Sequence, residues 1–424
     1  MEAPAKGEAA VMQTFHKHGN VKKMQSLSSQ NWDHALKAGV HGCVLEPGNK
    51  GRLRTPDDRS IVNMSSYSYL GLDEHPEIIA AAVAAVQRTG VLNSSLSRVR
   101  MTMPLLEEAE AELSDLFVAD VGTINSCAAA AWATLPVVAS GLLTGGDPPV
   151  VVFDKKAHFC MLALKAACAD ETLVMTIPHN DMDSLEDICR KNGTVAYVCD
   201  SVYSTGGTVA PISKLVRLQE EYGLFLYFDE AHSTSVVGTN GRGHALDVMG
   251  SINERTMIIT SLNKGFGASG GAILFGPRHD KWVRHAVQRN SGPMMWSQRI
   301  NTAGLGAIIE SARIHRSIEL VKLQEQLQEN LRQFDELVDS DGRGNTVPIR
   351  YIVQGSEYEA IDASRKLAEA GYYAEPDFFP IVKRGAAGLR IRIRASMSRE
   401  DISGFAAAAI GLTDKVREPS WRDS

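Results

Sequence analysis

Two short segments carry residues that could hold a pyridine ring and react with an aldehyde. Asp229-Glu230-Ala231-His232 follows one apolar run, and Ser261-Leu262-Asn263-Lys264-Gly265-Phe266-Gly267 follows another. The first segment supplies a carboxylate, a small methyl group and an imidazole, and the second supplies a lysine among small residues. A lysine amine condenses with an aldehyde, and a carboxylate can pair with a protonated ring nitrogen. The two segments therefore predict pyridoxal 5'-phosphate (PLP) chemistry.

Each residue of this set has a plainer alternative. Lys264 is the candidate Schiff-base lysine, although a lysine in a turn is more often simply solvated. Asp229 would pair with the pyridine nitrogen and keep the ring cationic, or it would only cap a helix after a strand. Ala231 would lie under one face of the ring, where a larger side chain would collide. His232 could reach the phenolic oxygen of the cofactor.

Other apolar runs also end in polar or small residues. The candidate strands are 121–124, 150–153, 195–199, 224–228 and 257–260. Because ligands bind outside the carboxyl ends of strands in open α/β sheets, these residues should meet at one edge. His158 could stack on the ring or be a structural histidine. Ser126 and Cys127 open a helix whose free N–H groups would suit a phosphate. Ser261 could add a hydroxyl to that phosphate, and Ser204 could reach the phenolic oxygen.

Arg390, Arg392 and Arg394 alternate with apolar residues and so share one face of a predicted strand. A guanidinium can bind a substrate carboxylate through two hydrogen bonds, which makes one of the three a candidate anchor. The spacing does not choose among them. The alternative is a solvated basic face.

The bulk properties are typical of a soluble globular enzyme. The chain has 424 residues, of which 44% are hydrophobic and 22% charged, and its length predicts two or three lobes. A formal net charge of −6 disfavours nucleic acid as a partner. Six scattered cysteines without a CxxC pair indicate reduced thiols rather than zinc. No apolar leader is visible, and uncharged residues 121–146 predict a buried helix rather than a membrane span. We expect a cytoplasmic protein.

The pattern along the chain predicts three parts. Residues 1–60 are mixed and polar and predict an N-terminal arm. Alternating strands and amphipathic helices over 61–300, including helices at 76–88 and 105–116, predict a large, mostly parallel α/β domain. Residues 301–424 predict a smaller C-terminal α+β domain, with long helices within 303–335, short strands at 350–354, 372–375 and 389–395, and a helix at 359–370.

The order of the motifs resembles the α-oxoamine synthase family of fold-type-I PLP enzymes, over about residues 63–402. The segments that carry the resemblance are Tyr69-Leu70-Gly71, Pro178-His179-Asn180-Asp181, Ser201-Val202-Tyr203-Ser204, Asp229-Glu230-Ala231-His232-Ser233, Gly241-Arg242-Gly243 and Lys264-Gly265-Phe266-Gly267. The resemblance implies an aspartate aminotransferase-like fold. It also implies decarboxylative condensation of an α-amino acid with an acyl thioester, which gives an α-amino ketone, carbon dioxide and a free thiol.

Two alternatives stay on the same fold. One is a PLP-dependent aminotransferase or carbon–carbon lyase that uses the same lysine and aspartate. The other is a non-catalytic partner subunit, which the presence of Lys264 disfavours. The sequence names neither the amino acid nor the acyl group, and it does not say whether the donor is coenzyme A or a carrier protein.

Carried over by position, the resemblance assigns roles to the candidate residues. Lys264 would form the Schiff base, Asp229 would meet the pyridine nitrogen, and His158 would stack on the ring. His232 and Ser204 would lie near the phenolic oxygen, and Ser261 at the phosphate. Arg390 is selected over the other two arginines as the carboxylate anchor.

The resemblance also implies a homodimer with shared active sites. Ser297 falls where the partner subunit helps to bind the phosphate. Tyr67 and Ser97 fall at substrate-contacting positions. Ser97, in place of the threonine of glycine-restricted members, favours an amino acid larger than glycine. The stretch Asn125-Ser126-Cys127-Ala128-Ala129-Ala130 departs from the family pattern and indicates a divergent member.

Overall fold

The computed structural model describes residues 21–94, 97–279 and 281–413, with side chains to residue 410. Part of the predicted arm, residues 1–20, and the end of the predicted C-terminal domain, residues 414–424, lie outside the described residues. The described strands are β1 Glu46–Pro47, β2 Arg52–Arg54, β3 Ser60–Asn63, β4 Ala119–Ile124, β5 Val150–Asp154, β6 Val174–Ile177, β7 Val195–Asp200, β8 Phe225–Asp229, β9 Thr256–Ser261, β10 Gly271–Pro277, β11 Ile349–Gly355, β12 Tyr372–Tyr373, β13 Glu375–Asp377 and β14 Ala387–Arg392.

The α-helices of the described residues alternate with these strands through the first two thirds of the chain. They are α1 Val21–Lys37, α2 Pro76–Thr89, α3 Pro104–Phe117, α4 Cys127–Ala139, α5 Phe159–Leu162, α6 Lys165–Ala169, α7 Met182–Lys191, α8 Ile212–Tyr222, α9 His244–Met249, α10 Trp282–Asn290, α11 Gly292–Trp296, α12 Thr302–His315, α13 Ile318–Leu337, α14 Glu357–Glu369 and α15 Arg399–Thr413. Short 3-10 helices occur at Asn49–Gly51, Leu72–Glu74 and Thr239–Gly241.

A seven-stranded sheet forms the centre of the large α/β part, in the order β4-β10-β9-β8-β7-β5-β6. The five neighbouring strands β9, β8, β7, β5 and β6 run parallel to one another. β10 is antiparallel to both β9 and β4. All five strands predicted from the apolar runs are present in it. The register sets Asp200 at the end of β7 opposite Asp229 at the end of β8.

Both faces of this sheet are covered, which explains why its strands are almost continuously apolar. Alternate residues of β7 enter different clusters: Tyr197 and Cys199 pack into one cluster, whereas Ala196 and Val198 pack into the other. Residues 121–146, which the sequence predicted to be a buried helix on a sheet, contain α4, most of whose side chains are buried. Within the described ranges, no helix is long and apolar enough to cross a membrane.

The C-terminal part has a three-stranded sheet, β11-β14-β13, covered by α14 and packed into a further apolar cluster with α13 and α15. The predicted strand at 372–375 is two strands in different sheets, because Tyr372 and Tyr373 pair with β3 whereas Glu375 pairs with Arg390 of β14. The predicted long helical stretch breaks at Ser317, whose side chain caps α13.

The N-terminal segment joins the C-terminal part rather than lying free. β3 belongs to a four-stranded sheet, β1-β2-β3-β12, and runs parallel to β12. Trp32 of α1 packs edge-on against Phe378 at a centroid distance of 4.9 Å. The predicted domain boundaries at residues 60 and 300 and the cytoplasmic location stay predictions.

Candidate active site

Lys264 lies in the turn that follows β9, at the carboxyl edge of the central sheet. Its Nζ is 2.8 Å from Nε2 of His232 and 5.2 Å from the centre of the Tyr67 ring. Burial lowers the pKa of Lys264, and the charge of Asp229 acts in the opposite direction. A larger fraction of the amine is therefore neutral than in a solvated lysine, and the neutral amine is the form that attacks an aldehyde.

His232 is buried and uses both ring nitrogens. Nε2 meets Lys264, and Nδ1 lies 2.7 Å from the hydroxyl of Tyr69, which is also buried. Burial, together with the charge of Lys264, holds the pKa of His232 well below its usual range. The imidazole is therefore neutral, and its two hydrogen bonds fix its orientation. Tyr69 belongs to one of the segments that carry the family resemblance, but nothing in the sequence assigns it to the site.

Asp229 ends β8 as a buried carboxylate. Its Oδ1 accepts a hydrogen bond of 2.9 Å from the N–H of Ala231, and the Sγ of Cys127 is 3.6 Å from each carboxylate oxygen. Among the described residues, no lysine or arginine forms an ion pair with it within 4.0 Å. A buried carboxylate without a cation is costly, and a protonated pyridine nitrogen would supply one. The methyl of Ala231 is buried next to it.

Asp200 is a site residue that was not predicted. It is buried beside Asp229, and its Oδ2 accepts a 2.7 Å hydrogen bond from the N–H of His158. Burial raises the pKa of Asp200 well above its usual value, and the charge of Asp229 raises it further. Asp200 is the first polar residue after the run 195–199, so the signal that found Asp229 could have found it too.

His158 opens α5, and its Nδ1 accepts a hydrogen bond of 3.3 Å from the N–H of Cys160. The side chain is exposed, but desolvation by the cleft lowers the pKa of His158 against the pull of Asp229. His158 is thus near Asp229, as expected of a residue that covers a ring held there. Cys160 was not predicted. Its Sγ lies 3.7 Å from Oδ2 of Asp229.

The start of α4 offers N–H groups toward the same edge. Ser126 caps the helix by accepting a 3.1 Å hydrogen bond from the N–H of Ala129, and the N–H groups of the first turn have no partner within a helix. Gly271 pairs with Ser261 across the sheet, and a Cβ at Gly271 would lie 2.6 Å from the backbone of Ser126 and Cys127. Only glycine therefore lets β10 approach the helix start. The hydroxyl of Ser261 donates to Asn263 at 2.8 Å.

Ser97 and Ser297 both lie at the end of α11. The exposed Ser297 accepts a 3.2 Å hydrogen bond from Asn125, next to the start of α4 in its own chain. Ser97 donates a 2.6 Å hydrogen bond to the carbonyl of Met295. The described hydrogen bonds do not join either serine to Lys264, so their predicted roles in phosphate and substrate binding stay predictions.

The three arginines of 390–394 are all buried, so the alternative of a solvated basic face is wrong. Arg390 donates to Asp377 at 2.9 Å and to the carbonyl of Ser204 at 3.4 Å. Burial raises the pKa of Asp377 to about 6, although Arg390 opposes this. The structure therefore brings Ser204 and Arg390 together, but it gives Arg390 a carboxylate partner already.

The other two arginines contact different parts of the molecule. Arg392 forms a 2.9 Å ion pair with Glu375, and its guanidinium lies 4.0 Å from the centre of the Tyr67 ring. Arg394 donates to the carbonyl of Gly51 at 3.0 Å, away from the lysine. The partly exposed ring of Tyr67 therefore contacts both Arg392 and Lys264. Arg394 is the least suited of the three to bind a substrate.

A family model described as aminotransferase class I and II matches residues 59–408. The chain belongs to this family. It is 28% identical over 379 residues to the 8-amino-7-oxononanoate synthase of Alkaliphilus metalliredigens, covering 85% of this chain and 89% of the relative. With the 8-amino-7-oxononanoate synthase of Thermoanaerobacter pseudethanolicus it shares 29% identity over 404 residues, or 90% and 94% of the two chains.

Among solved structures, serine palmitoyltransferase with a PLP internal aldimine superposes with a TM-score of 0.81 at 20% identity, covering 92% of this chain and 98% of the other. At this identity the likeness shows the fold. The fold confirms the predicted fold-type-I class, and the family match together with the named relatives confirms the predicted type of enzyme, its cofactor and the resemblance to the α-oxoamine synthases.

Proposed function

We propose that the chain condenses an α-amino acid with an acyl thioester, with PLP as cofactor, and releases carbon dioxide and a free thiol. The observation that carries the proposal is the position of the Lys264 amine, 2.8 Å from a neutral His232 at the edge where Asp229 ends its strand. The names of the relatives, 8-amino-7-oxononanoate synthase, support the same class of reaction.

The residues of the edge fit the cofactor. When bound, PLP supplies an electron-withdrawing ring that stabilises negative charge on the α-carbon of the amino acid. Asp229 would hold the ring N–H, Ala231 would lie under the ring, and His158 would cover it. Ser126, Cys127 and Ser261 surround the helix start where a phosphate would bind.

The proton chemistry belongs to Lys264 and His232. Because burial lowers the pKa of Lys264, its free amine can take the proton from the α-carbon. His232 accepts from or donates to that amine, and its bond to Tyr69 keeps the imidazole in one orientation. Arg390, which is buried beside Asp377, would orient the carboxylate, and Ser204, next to it, would meet the phenolic oxygen.

We also propose that the protein is a homodimer. Large apolar side chains stand exposed on α4 and on α5 and α11, which both pack on α4: Trp132 is 54% exposed, Phe159 77% and Trp296 74%. Exposed aromatic groups of this size favour burial in an interface. Sedimentation of the full chain should give twice the monomer mass, and Trp296→Glu should shift it toward the monomer. A wild-type monomer at micromolar concentration would contradict the dimer.

The reaction is tested with a matrix of amino acids against acyl thioesters. Glycine, alanine and serine, each with medium- and long-chain acyl groups on coenzyme A or on a carrier protein, are scored for free thiol and for carbon dioxide. We expect both products in equal amounts with at least one pair, and none with Lys264→Ala. An enzyme that transfers the amino group to a keto acid without releasing thiol would be an aminotransferase, and the proposal would be wrong.

A further inference from the structure

Metal-ligating atoms converge around the carboxylate of Asp229. One ring nitrogen of His158, the Sγ of Cys160 and a carboxylate oxygen of Asp229 all lie within 4.8 Å of one another. The Sγ of Cys127 lies 3.6 Å from both oxygens of the same carboxylate. These side chains come from the segments that follow β4 and β5 and from the end of β8, so the sheet topology itself brings them together.

The proposed reaction uses only part of this set. Asp229 would hold the ring nitrogen, His158 would cover the ring, and Cys127 would offer its backbone N–H to the phosphate, but condensation requires the thiol of neither Cys127 nor Cys160. Two half-buried thiols on one carboxylate therefore call for a separate explanation. Both are unpaired cysteines, and both lie on the partly buried margin of the same apolar cluster.

We propose that His158, Cys160, Asp229 and Cys127 form a binding site for a thiophilic divalent cation such as Zn²⁺ when the cofactor is absent. Imidazole nitrogen, thiolate sulfur and carboxylate oxygen are the ligands that zinc takes, usually four in a tetrahedron. Ligand atoms at zinc-bond lengths lie about 3.3–3.8 Å apart in such a tetrahedron. The atoms of His158, Cys160 and Asp229 lie at most 4.8 Å apart and would have to move about 1 Å closer, while the sulfur of Cys127, now 3.6 Å from Asp229, would turn in as the fourth ligand. The exposed His158 gives an ion access from solvent.

Binding exchanges protons and involves no oxidation. Each thiol loses its proton to solvent as the sulfur–metal bond forms, while Asp229 binds as a carboxylate and His158 as a neutral imidazole. Burial and the charge of Asp229 raise the pKa of both thiols in the absence of an ion. A cation on the carboxylate removes this repulsion, so the affinity should increase with pH.

The ion and the cofactor would compete for the carboxylate of Asp229. The cation would occupy the space beside Asp229 in which the ring nitrogen of PLP would lie. This competition rests on the proposed function, whereas ion binding by itself does not. The consequence is that the cofactor-free chain can be captured by a thiophilic metal, and that loading with PLP would then require release of the ion.

The test uses Co²⁺ as the probe, on the full chain freed of PLP by dialysis against hydroxylamine. We expect one equivalent to bind with the sulfur-to-cobalt charge-transfer absorption of a thiolate ligand and with release of protons. Cys160→Ser and Cys127→Ser should each weaken binding by at least about tenfold and reduce that absorption. The control Cys43→Ser, an exposed cysteine on another part of the chain, should bind as the wild type does.

Two further measurements keep the outcomes separate. PLP added to the Co²⁺-loaded chain should displace the ion, and borohydride fixation on Lys264 reports PLP binding without any metal. Cys160→Ser that still fixes PLP is folded, so its loss of Co²⁺ would be specific. Absence of the charge-transfer band, or equal binding by Cys160→Ser and wild type, would overturn the metal site and leave the proposed function untouched.

Discussion

The lysine amine of this site is positioned by a relay of neutral side chains rather than by an ion pair. Lys264 meets His232, and His232 meets the buried hydroxyl of Tyr69. Burial keeps the imidazole neutral, so it can orient the amine without adding charge. The reactivity of Lys264 therefore depends on Tyr69, a residue whose hydrogen bond is to His232 rather than to the lysine.

Tyr69→Phe removes the outer bond of this relay. We expect kcat to fall by about tenfold or more, because a buried ring nitrogen left without a partner costs about 1–3 kcal/mol and the imidazole can turn. KM for the amino acid should change little, and PLP should still bind. Tyr222→Phe, which removes a half-buried hydroxyl that bonds to Glu186 and Arg190 outside this relay, is the matched control. Equal kcat for the two variants would refute a positioning role for Tyr69.

The carboxylate anchor can be decided between two arginines. Arg390→Lys should raise KM for the amino acid by about tenfold or more while PLP binding is kept, because lysine cannot form the bidentate pair. Arg392→Lys, which changes the neighbour that stacks on Tyr67, is the comparison. Steady-state kinetics of both variants decide the matter. A larger rise in KM for Arg392→Lys would assign the anchor to Arg392, since Arg390 already has Asp377 as its partner.

Residues that directly follow an apolar run can be assigned to the candidate site from the sequence. Residues that reach the site only through tertiary contacts cannot. Asp229, Lys264 and His158 each follow a predicted strand and lie close together in the structure. Asp377 could not be assigned from the sequence, because its contact with Arg390 depends on the antiparallel pairing of β13 with β14.

Among the elements, the turn after β9 determines where Lys264 stands. Gly267 closes this turn with φ +71°, a left-handed conformation that glycine adopts without cost, and its N–H bonds to the carbonyl of Lys264. A Cβ at this position would lie 2.4 Å from the Cβ of Leu72 and 2.5 Å from its carbonyl carbon. The turn is thereby pressed against the 3-10 helix Leu72–Glu74, which follows the segment of Tyr67 and Tyr69.

Gly267→Ala should therefore destabilise the protein and displace Lys264. We expect the free energy of unfolding to fall by about 2 kcal/mol or more, from the left-handed strain together with the collision. Gly145→Ala is the matched control, because its φ of +83° is similar but no atom lies within 4 Å of the added Cβ. Denaturant unfolding compares the two. An equal loss of stability in both variants would show that the contact with Leu72 does not matter.

The sequence predicts the long elements better than the short ones. Helices α2 and α3 and the buried strands are found because their apolar periodicity extends over many residues. β1 and β2 have two or three mostly polar residues each, and they form only because β3 pairs with β2 and with β12. Such short strands have no periodic signal of their own.

At the scale of the whole molecule, α12 connects the turn that holds Lys264 with the loop that contains Ser235. Its last residue, His315, is buried, with Nδ1 at 2.7 Å from the carbonyl of Ser311 and Nε2 at 2.7 Å from the hydroxyl of Ser235. Its ring packs on Phe266 at a centroid distance of 4.5 Å. Burial lowers the pKa of His315 to about 4.

This depressed pKa makes the stability depend on pH. Since the unfolded chain has a histidine pKa of about 6.5, the contribution is present above that pH and is lost as the pH falls toward about 4. The loss amounts to about 3 kcal/mol at most. His315→Gln should flatten the unfolding free energy between these pH values, measured with urea. A variant curve parallel to that of the wild type would contradict the assignment.

The central claim is that Lys264 carries the cofactor, and borohydride reduction of the PLP-loaded chain tests it most directly. We expect one cofactor per chain to become covalently fixed, on the peptide that contains Lys264 and on no other, as read by mass spectrometry. Lys264→Ala should fix none, whereas Lys165→Ala, a control lysine that contacts Thr176, should behave as the wild type. Fixation of PLP by Lys264→Ala to the same extent as by the wild type would contradict the account.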